Sequence, residues 1–166
     1  MYDARAIANF LLDYADQKKT KVTLLLVLKM IYYAHGWHLS RHGEPLVRQP
    51  FEAWTHGPVV RAVWEAFRGN GKWPLTARAK RFDVLAHSYS VVNEPIKPEQ
   101  AAFLENIFDA YAHVDAFDLS NATHVPGSPW DAVWNAPNGA INVGMKIPND
   151  EIRKWFSGKR APGFLH

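Results

Sequence analysis

The chain has 166 residues, 48% of them hydrophobic and 21% charged, proportions that fit one soluble globular domain and exclude a disordered chain. A formal charge of +3, carried by scattered basic residues, does not indicate a strong nucleic-acid binder. Cysteine is absent, which excludes disulfides, thiolate catalysis and cysteine-based zinc sites.

The N-terminal region has the pattern of neither a signal peptide nor a membrane span. The segment MYDARAIANF lacks the basic stretch and apolar core that are typical of a signal peptide. The apolar run of residues 22–28 is interrupted by Lys29 and is shorter than the roughly 18 residues that a membrane span needs. We therefore expect a cytoplasmic protein without a membrane partner.

Two helices are predicted at the start of the chain. Asp3 is a good cap for the first, over residues 4–18, whose apolar residues recur at the spacing of one helix face. Thr23 caps the second, over residues 24–40. Because this second helix is apolar on nearly all sides, it is predicted to lie at the centre of the fold.

The segment WTHGPVV predicts the start of a third helix. Proline suits the first helical position, where its fixed φ is favourable and its missing N–H loses no hydrogen bond. Gly57 and Pro58 therefore predict the turn into the helix, with Val59 and Val63 on its buried face. The preceding segment, VRQPFEAW, is predicted to be extended and irregular, and the glycines of residues 69–71 end the helix.

Four more helices are predicted in the second half of the chain. Pro98 begins a fourth and Asp115 caps a short fifth. Ser128 caps a sixth, which Pro129 begins. Asn149 caps the last helix, which Gly158 ends, after a predicted loop with the sequence APNGAINVGMKIP.

The predicted fold class is mainly α. It is a single compact domain of about six to seven helices with proline-rich turns and at most a short strand pair. Residues 72–97 are the least regular part, with one possible strand in YSVVNEPI. The domain is predicted to span residues 4–157, and residues 158–166 are predicted to form a flexible tail.

The histidines of the second helix are the best candidates for a metal site. His35, His38 and His42 lie three and four residues apart and share one helix face. They lack the glutamate that follows the first histidine of a metalloprotease helix. Histidine near a helix C-terminus also interacts well with the helix dipole. We therefore expect structural or surface histidines, with no metal and no other cofactor.

The sequence contains no catalytic motif. It has neither the G-x-S-x-G nucleophile turn nor a phosphate-binding glycine loop. Ser128 suits a helix cap better than a nucleophile, and His124 suits a side chain that holds the next turn. Glu52 is the only acid in a motif-like segment, which is weak ground for acid–base catalysis. We expect no enzyme; a hydrolase that uses His38, His56 and His124 is the remote alternative.

Three blocks follow one another along the chain: LKMIYYAHGWHL, EAWTHGPVVRAVW and LSNATHVPGSPW. Together they resemble the Panacea family of SocA-like and phage-associated antitoxins, whose pattern reads LQKLLYFAQGWHL, EAWxxGPVVPxVY and LSxxTHxxxSPW. His35 stands where the family often has glutamine, and Arg61 where it often has a second proline. The resemblance implies a mainly structural role for ten matching residues, Trp37, His38, Glu52, Gly57, Pro58, Val59, His124, Ser128, Pro129 and Trp130.

The resemblance implies an antitoxin that binds a cognate protein toxin directly. The alternative is a proteolytic adaptor that delivers the toxin to a AAA+ protease such as ClpXP, as one family member is thought to do. A DNA-binding autoregulator is a further alternative, but no helix-turn-helix with a basic second helix is recognisable. Tryptophan and arginine often dominate interface energy. The predicted partner-binding residues are Trp54, His56, Arg61 and Trp64.

Overall fold

The structure is a computed structural model that describes residues 1–136 and 143–159. The chain is mainly α, as predicted. The described residues form seven α-helices: α1 (Ala4–Gln17), α2 (Leu24–His42), α3 (Arg61–Phe67), α4 (Pro98–Tyr111), α5 (Ala116–Asn121), α6 (Pro129–Trp134) and α7 (Asn149–Ser157). They also form five short strands: β1 (Phe51–Trp54), β2 (Gly57–Val59), β3 (Lys80–Asp83), β4 (Ser88–Val91) and β5 (Lys146–Ile147).

The strands form two separate antiparallel groups. One is a three-stranded sheet in the order β2-β1-β5, and the other is a two-stranded ribbon of β3 and β4. The described residues therefore contain more strand than the single short pair predicted. The strand predicted within YSVVNEPI corresponds to β4 of the ribbon. The other four strands, β1, β2, β3 and β5, were not predicted.

Helix α2 lies at the centre of the fold, as its apolar surface predicts. Five helices, α1, α3, α4, α5 and α7, pack around it together with β2. Fourteen of its nineteen residues are buried. Gly36 permits the closest of these contacts, because any side chain there would overlap the Phe156 ring of α7.

Most predicted helix starts are confirmed by their caps. The side chains of four residues accept hydrogen bonds from first-turn N–H groups, namely Asp3, Thr23, Asp115 and Ser128. The predicted Asn149 cap is wrong. Asn149 is the first residue of α7, Pro148 is in the cap position, and Asn149 Oδ1 lies 3.0 Å from His35 Nε2 in α2.

The predicted helix start at Gly57 and Pro58 is also wrong. Glu52, Ala53 and Trp54 of β1 pair with Val59, Pro58 and Gly57 of β2, so the segment is a hairpin with a two-residue turn at 55–56. Gly57 has a φ of 91°, outside the helical region. The missing N–H of Pro58 is tolerated because β2 is an edge strand. Helix α3 begins only at Arg61.

Two predicted segments extend beyond the described residues. The predicted tail, residues 158–166, is described only as far as Lys159, and the domain bounds stay a prediction. The predicted loop before α7 is described at residue 136 and from Val143, where a 3₁₀ turn, Val143–Met145, leads into β5. Among the described residues, no helix is long and apolar enough to cross a membrane.

Candidate partner-binding site

A groove of about 760 Å³ runs along the β1–β2 hairpin. The hairpin forms one wall, and the rest is lined mainly by residues of α2, α3, α5 and α6, with Gly71 and the 3₁₀ turn before β5. The four residues that the sequence predicts to bind a partner all line this groove: Trp54, His56, Arg61 and Trp64. The lining also includes the carboxylate of Glu52 and several large apolar side chains, among them Leu25, Phe117, Trp134 and Met145.

The aromatic side chains of the groove are accessible to solvent. Phe117 is 60% exposed and Trp134 is 40% exposed. Trp54 and Trp64 are half-buried, and their rings meet edge-on at 5.0 Å. Large apolar side chains that gather at the surface of a folded domain are typical of interaction sites.

A buried carboxylate orients one wall of the groove. Glu52 is only 6% exposed, and its two oxygens accept hydrogen bonds from Arg61 Nε at 3.1 Å and Nη2 at 2.7 Å. Trp54 Nε1 donates to the same carboxylate at 2.8 Å. The Arg61 guanidinium also lies 5.2 Å from the centre of the Trp54 ring. These contacts hold both side chains in one arrangement, and the Glu52 hydrogen bond raises the pKa of Arg61.

Three side chains from three helices donate hydrogen bonds to the backbone of the hairpin, at its turn and at the adjoining strand residues. Lys29 Nζ of α2 donates to Pro58 O at 3.1 Å, and Ser120 Oγ of α5 donates to His56 O at 2.7 Å. Trp130 Nε1 of α6 donates to Trp54 O at 2.8 Å. Lys29 is fully buried, and this burial lowers its pKa to about 7.

The segment between α5 and α6 is tied into the same junction. Thr123 Oγ1 donates to Ser120 O at 2.6 Å, and Ser128 Oγ donates to Thr123 O at 2.7 Å. The His124 ring packs against Trp130 at 4.0 Å, and burial, more than the charges of Lys29 and His56, lowers its pKa. Residues of LSNATHVPGSPW thus support the hairpin formed by EAWTHGPVV, although the two blocks are far apart in the sequence.

The remaining family-motif residues lie in the core, outside the groove lining. Trp37 Nε1 donates to Tyr111 Oη at 2.9 Å, and His38 Nδ1 donates to Glu44 O at 2.7 Å. His35 Nδ1 accepts from Val47 N, so its Nε2 carries the hydrogen that Asn149 accepts.

The two buried histidines of α2, His35 and His38, therefore have separate partners within the core, whereas His42 is exposed. Burial lowers the pKa of His35 to about 4, which keeps the ring neutral near pH 7. His42 is the last residue of α2, and its ring lies 4.7 Å from that of His38. In residues 1–136 and 143–159, no three histidine or acidic side chains are grouped so as to hold a metal ion.

Sequence reasoning missed the far side of the groove and the buried lysine beneath it. Phe117 and Trp134 come from short helices whose position relative to the hairpin no local pattern predicts. Lys29 had a usable signal, since it is the one charged residue within an otherwise apolar run of α2. A charge at such a position needs a buried partner group, which Pro58 O supplies.

A family model, described as the antitoxin SocA-like Panacea domain, matches residues 27–131. This range covers α2 from Val27 onward, the hairpin, α3 and the segment that ties α5 to α6. The chain belongs to the SocA-like Panacea family. It is 34% identical to the antitoxin SocA of Caulobacter vibrioides over 154 residues, which cover 93% of this chain and 82% of that protein. No solved structure matches the chain.

Proposed function

We propose that this Panacea protein is an antitoxin that neutralises a cognate protein toxin by binding it in the groove beside the β1–β2 hairpin. Membership of an antitoxin family supports the role. We choose this surface because the groove brings together four exposed or half-buried aromatic side chains from separate elements. They are Trp54, Trp64, Phe117 and Trp134.

The composition of the groove suits a protein partner. Interface cores are enriched in aromatic residues, methionine and arginine, and their rims are polar. Here aromatic rings and Met145 form the apolar part, while Arg61 and His56 supply polar groups. The matching toxin surface presents apolar side chains that enter the groove, next to groups that accept hydrogen bonds from the Arg61 guanidinium.

The fixed geometry of the groove favours tight binding. Association costs free energy wherever mobile side chains must be ordered. Glu52 already orients Arg61 and Trp54, and the backbone of the hairpin is held from three helices. Part of the free energy needed to order these side chains is therefore already spent during folding, before the toxin binds. No step of this proposal requires catalysis.

Co-expression with the cognate toxin tests the proposal. We expect wild-type protein to restore growth and to co-purify with the toxin. Trp64→Ala and Phe117→Ala remove groove side chains that make no hydrogen bond to the hairpin, and each should weaken toxin binding at least about tenfold. Trp73→Ala is the matched control, because Trp73 is 68% exposed and does not line the groove.

The outcome also separates the two ways of neutralising a toxin. Direct neutralisation predicts that the toxin persists in a complex with the antitoxin. If the toxin disappears, and returns in a host that lacks the AAA+ protease, the protein is a proteolytic adaptor. Full neutralisation and unchanged affinity in a folded Trp64→Ala, Phe117→Ala double variant would reject the groove as the toxin-binding surface.

A further inference from the structure

The β3–β4 ribbon is a second exposed surface, which the proposed function does not use. Every residue from Lys80 to Val91 is exposed. The described part of the chain has eleven exposed large hydrophobic residues, and five of them lie on this ribbon: Phe82, Val84, Leu85, Tyr89 and Val91. Leu85, at the tip, is 95% exposed. Such a concentration on one short element indicates a contact surface.

The ribbon has one apolar face and one polar face. Phe82 pairs directly with Tyr89, and their rings meet edge-on at 5.2 Å. Because side chains alternate along a strand, Val91 lies on this same face together with Lys80 at its base, whereas Arg81 and Asp83 lie on the other. The Arg81 side chain has no hydrogen-bond or ion-pair partner among the described residues.

The ribbon is held at both ends despite its exposure. At the tip, Asp83 Oδ1 accepts hydrogen bonds from the backbone N–H of Leu85 at 2.9 Å and of Ala86 at 3.1 Å. At the base, the Asn9 amide bridges the two strands, donating to Ala79 O at 3.0 Å and Val92 O at 2.8 Å. The apolar side chains are thus presented on an ordered element, which lowers the cost of binding.

We propose that β3 pairs with β3 of a second copy of this chain, antiparallel and about a two-fold axis at Phe82. A two-fold contact requires one surface to complement itself. In this register Phe82 opposes Phe82, and Arg81 of each copy opposes Asp83 of the other. Both charges of the polar face then meet an opposite charge, and no like charges oppose each other.

The backbone of β3 is free to make this pairing. Val92 N donates to Ala79 O at the base of the ribbon. Since bonded and non-bonded pairs alternate along an antiparallel ladder, the bonds within the ribbon then fall at Arg81 and Asp83. The N–H and C=O of Phe82 consequently point to the open edge, where two copies can exchange two hydrogen bonds.

The same register joins the apolar faces of the two ribbons. Phe82 lies on the axis and pairs with Tyr89 within each copy, so the Phe82 and Tyr89 rings of the two copies form one continuous apolar row.

Charge reversal tests the pairing. By light scattering over a concentration series, the wild-type mass should rise from 18.9 kDa to twice that value. Arg81→Asp alone and Asp83→Arg alone should both stay monomeric, because each places two like-charged pairs across the two-fold axis. An equimolar mixture of these two variants restores both opposite-charge pairs and should form the dimer. Lys21→Asp, an exposed change of the same charge elsewhere, should dimerise like the wild type.

A cross-linking experiment checks the register independently. The chain has no cysteine, so Phe82→Cys introduces a single thiol that opposes itself across the axis. Mild oxidation should give a covalent dimer, whereas Ser90→Cys, on the far strand of the ribbon, should not. The proposal is overturned by a wild type that stays monomeric, by an Arg81→Asp dimer, or by equal cross-linking of both cysteine variants. Loss of toxin neutralisation in a monomeric ribbon variant would instead assign the ribbon to the toxin.

Discussion

The two hairpins of this protein have nearly the same length and opposite surroundings. Strands β1 and β2 have four and three residues, all buried except the half-buried Trp54, whereas the two four-residue strands β3 and β4 are exposed throughout. The first hairpin is held by side chains from three helices. The second is held by its own cross-strand pairs and by Asn9 at its base.

This difference shows that the same kind of element, a short antiparallel hairpin, can serve as a fixed wall when it is buried and as a free edge when it is exposed. The buried hairpin has a clamped inner side, and it therefore presents its outer residues, Trp54 and His56, in a fixed position on the groove. The exposed ribbon contributes little to the core and keeps a free strand edge. A free edge is a site for pairing with another chain. The predictions below test this contrast by altering comparable positions in the two hairpins and their supports.

The largest expected effect is at Gly57, where the first hairpin packs against Lys29 and Thr123. A Cβ at this position would overlap Thr123 Oγ1 and lie 2.7 Å from Lys29 Nζ, and the φ of 91° is strained for any other residue. Gly57→Ala should lower the free energy of unfolding by about 4 kcal/mol, from strain and overpacking together. Urea denaturation measures this loss.

Gly69→Ala is the matched control for Gly57→Ala. Gly69 has no positive φ, and a Cβ there would meet nothing within 4 Å. Its replacement should change the free energy of unfolding by less than about 1 kcal/mol. If both glycine variants had the same stability, the clamped hairpin would not be the rigid element that the contacts indicate.

The next largest effect is a pH dependence of stability that comes from Lys29, the α2 residue that donates a hydrogen bond to Pro58 O. Burial lowers the pKa of Lys29 to about 7 in the folded protein, against its usual 10.5. Between these values the unfolded chain binds a proton that the folded chain does not, so stability rises with pH in this window. The free energy of unfolding should increase by about 3 kcal/mol from pH 7 to about pH 9.5.

The variant Lys29→Met removes the titrating group and should flatten this rise. It also leaves Pro58 O without its hydrogen-bond donor, so its stability is compared across pH rather than with the wild type at one pH. Lys21→Met, at an exposed lysine, should keep the wild-type pH dependence. An equally steep rise in Lys29→Met would show that another group is responsible.

The helices could be predicted from the sequence because their signals are local. Asp3, Thr23, Asp115 and Ser128 cap their own first turns, so each start is encoded within a few residues. The hairpins could not be predicted in this way. Gly57 and Pro58 suit a helix start as well as an edge strand, and the side chains that hold the hairpin, those of Lys29, Ser120 and Trp130, lie far from it in the sequence.

The candidate site was predictable to a similar extent. The residues Trp54, His56, Arg61 and Trp64 are close in sequence, and their residue types indicated a contact surface that the fold does bring into one groove. Phe117 and Trp134 were missed because they reach the groove through the packing of α5 and α6. Strand β3 of the ribbon was missed because KRFD lacks the alternation of a half-buried strand and has no core contact to reveal it.

The smallest expected effect is in the exposed ribbon, where Phe82 can be compared with Phe51, the phenylalanine of the buried hairpin. Phe51 of β1 is 1% exposed and packs against Tyr32, so Phe51→Ala should cost about 4 kcal/mol of stability. Phe82 is 46% exposed and contacts mainly Tyr89, so Phe82→Ala should cost less than about 1 kcal/mol. Both are measured by denaturation of dilute monomer, so that pairing between copies does not contribute. Equal losses would mean that the ribbon is part of the cooperative core, and a free strand edge would then no longer distinguish it from the hairpin.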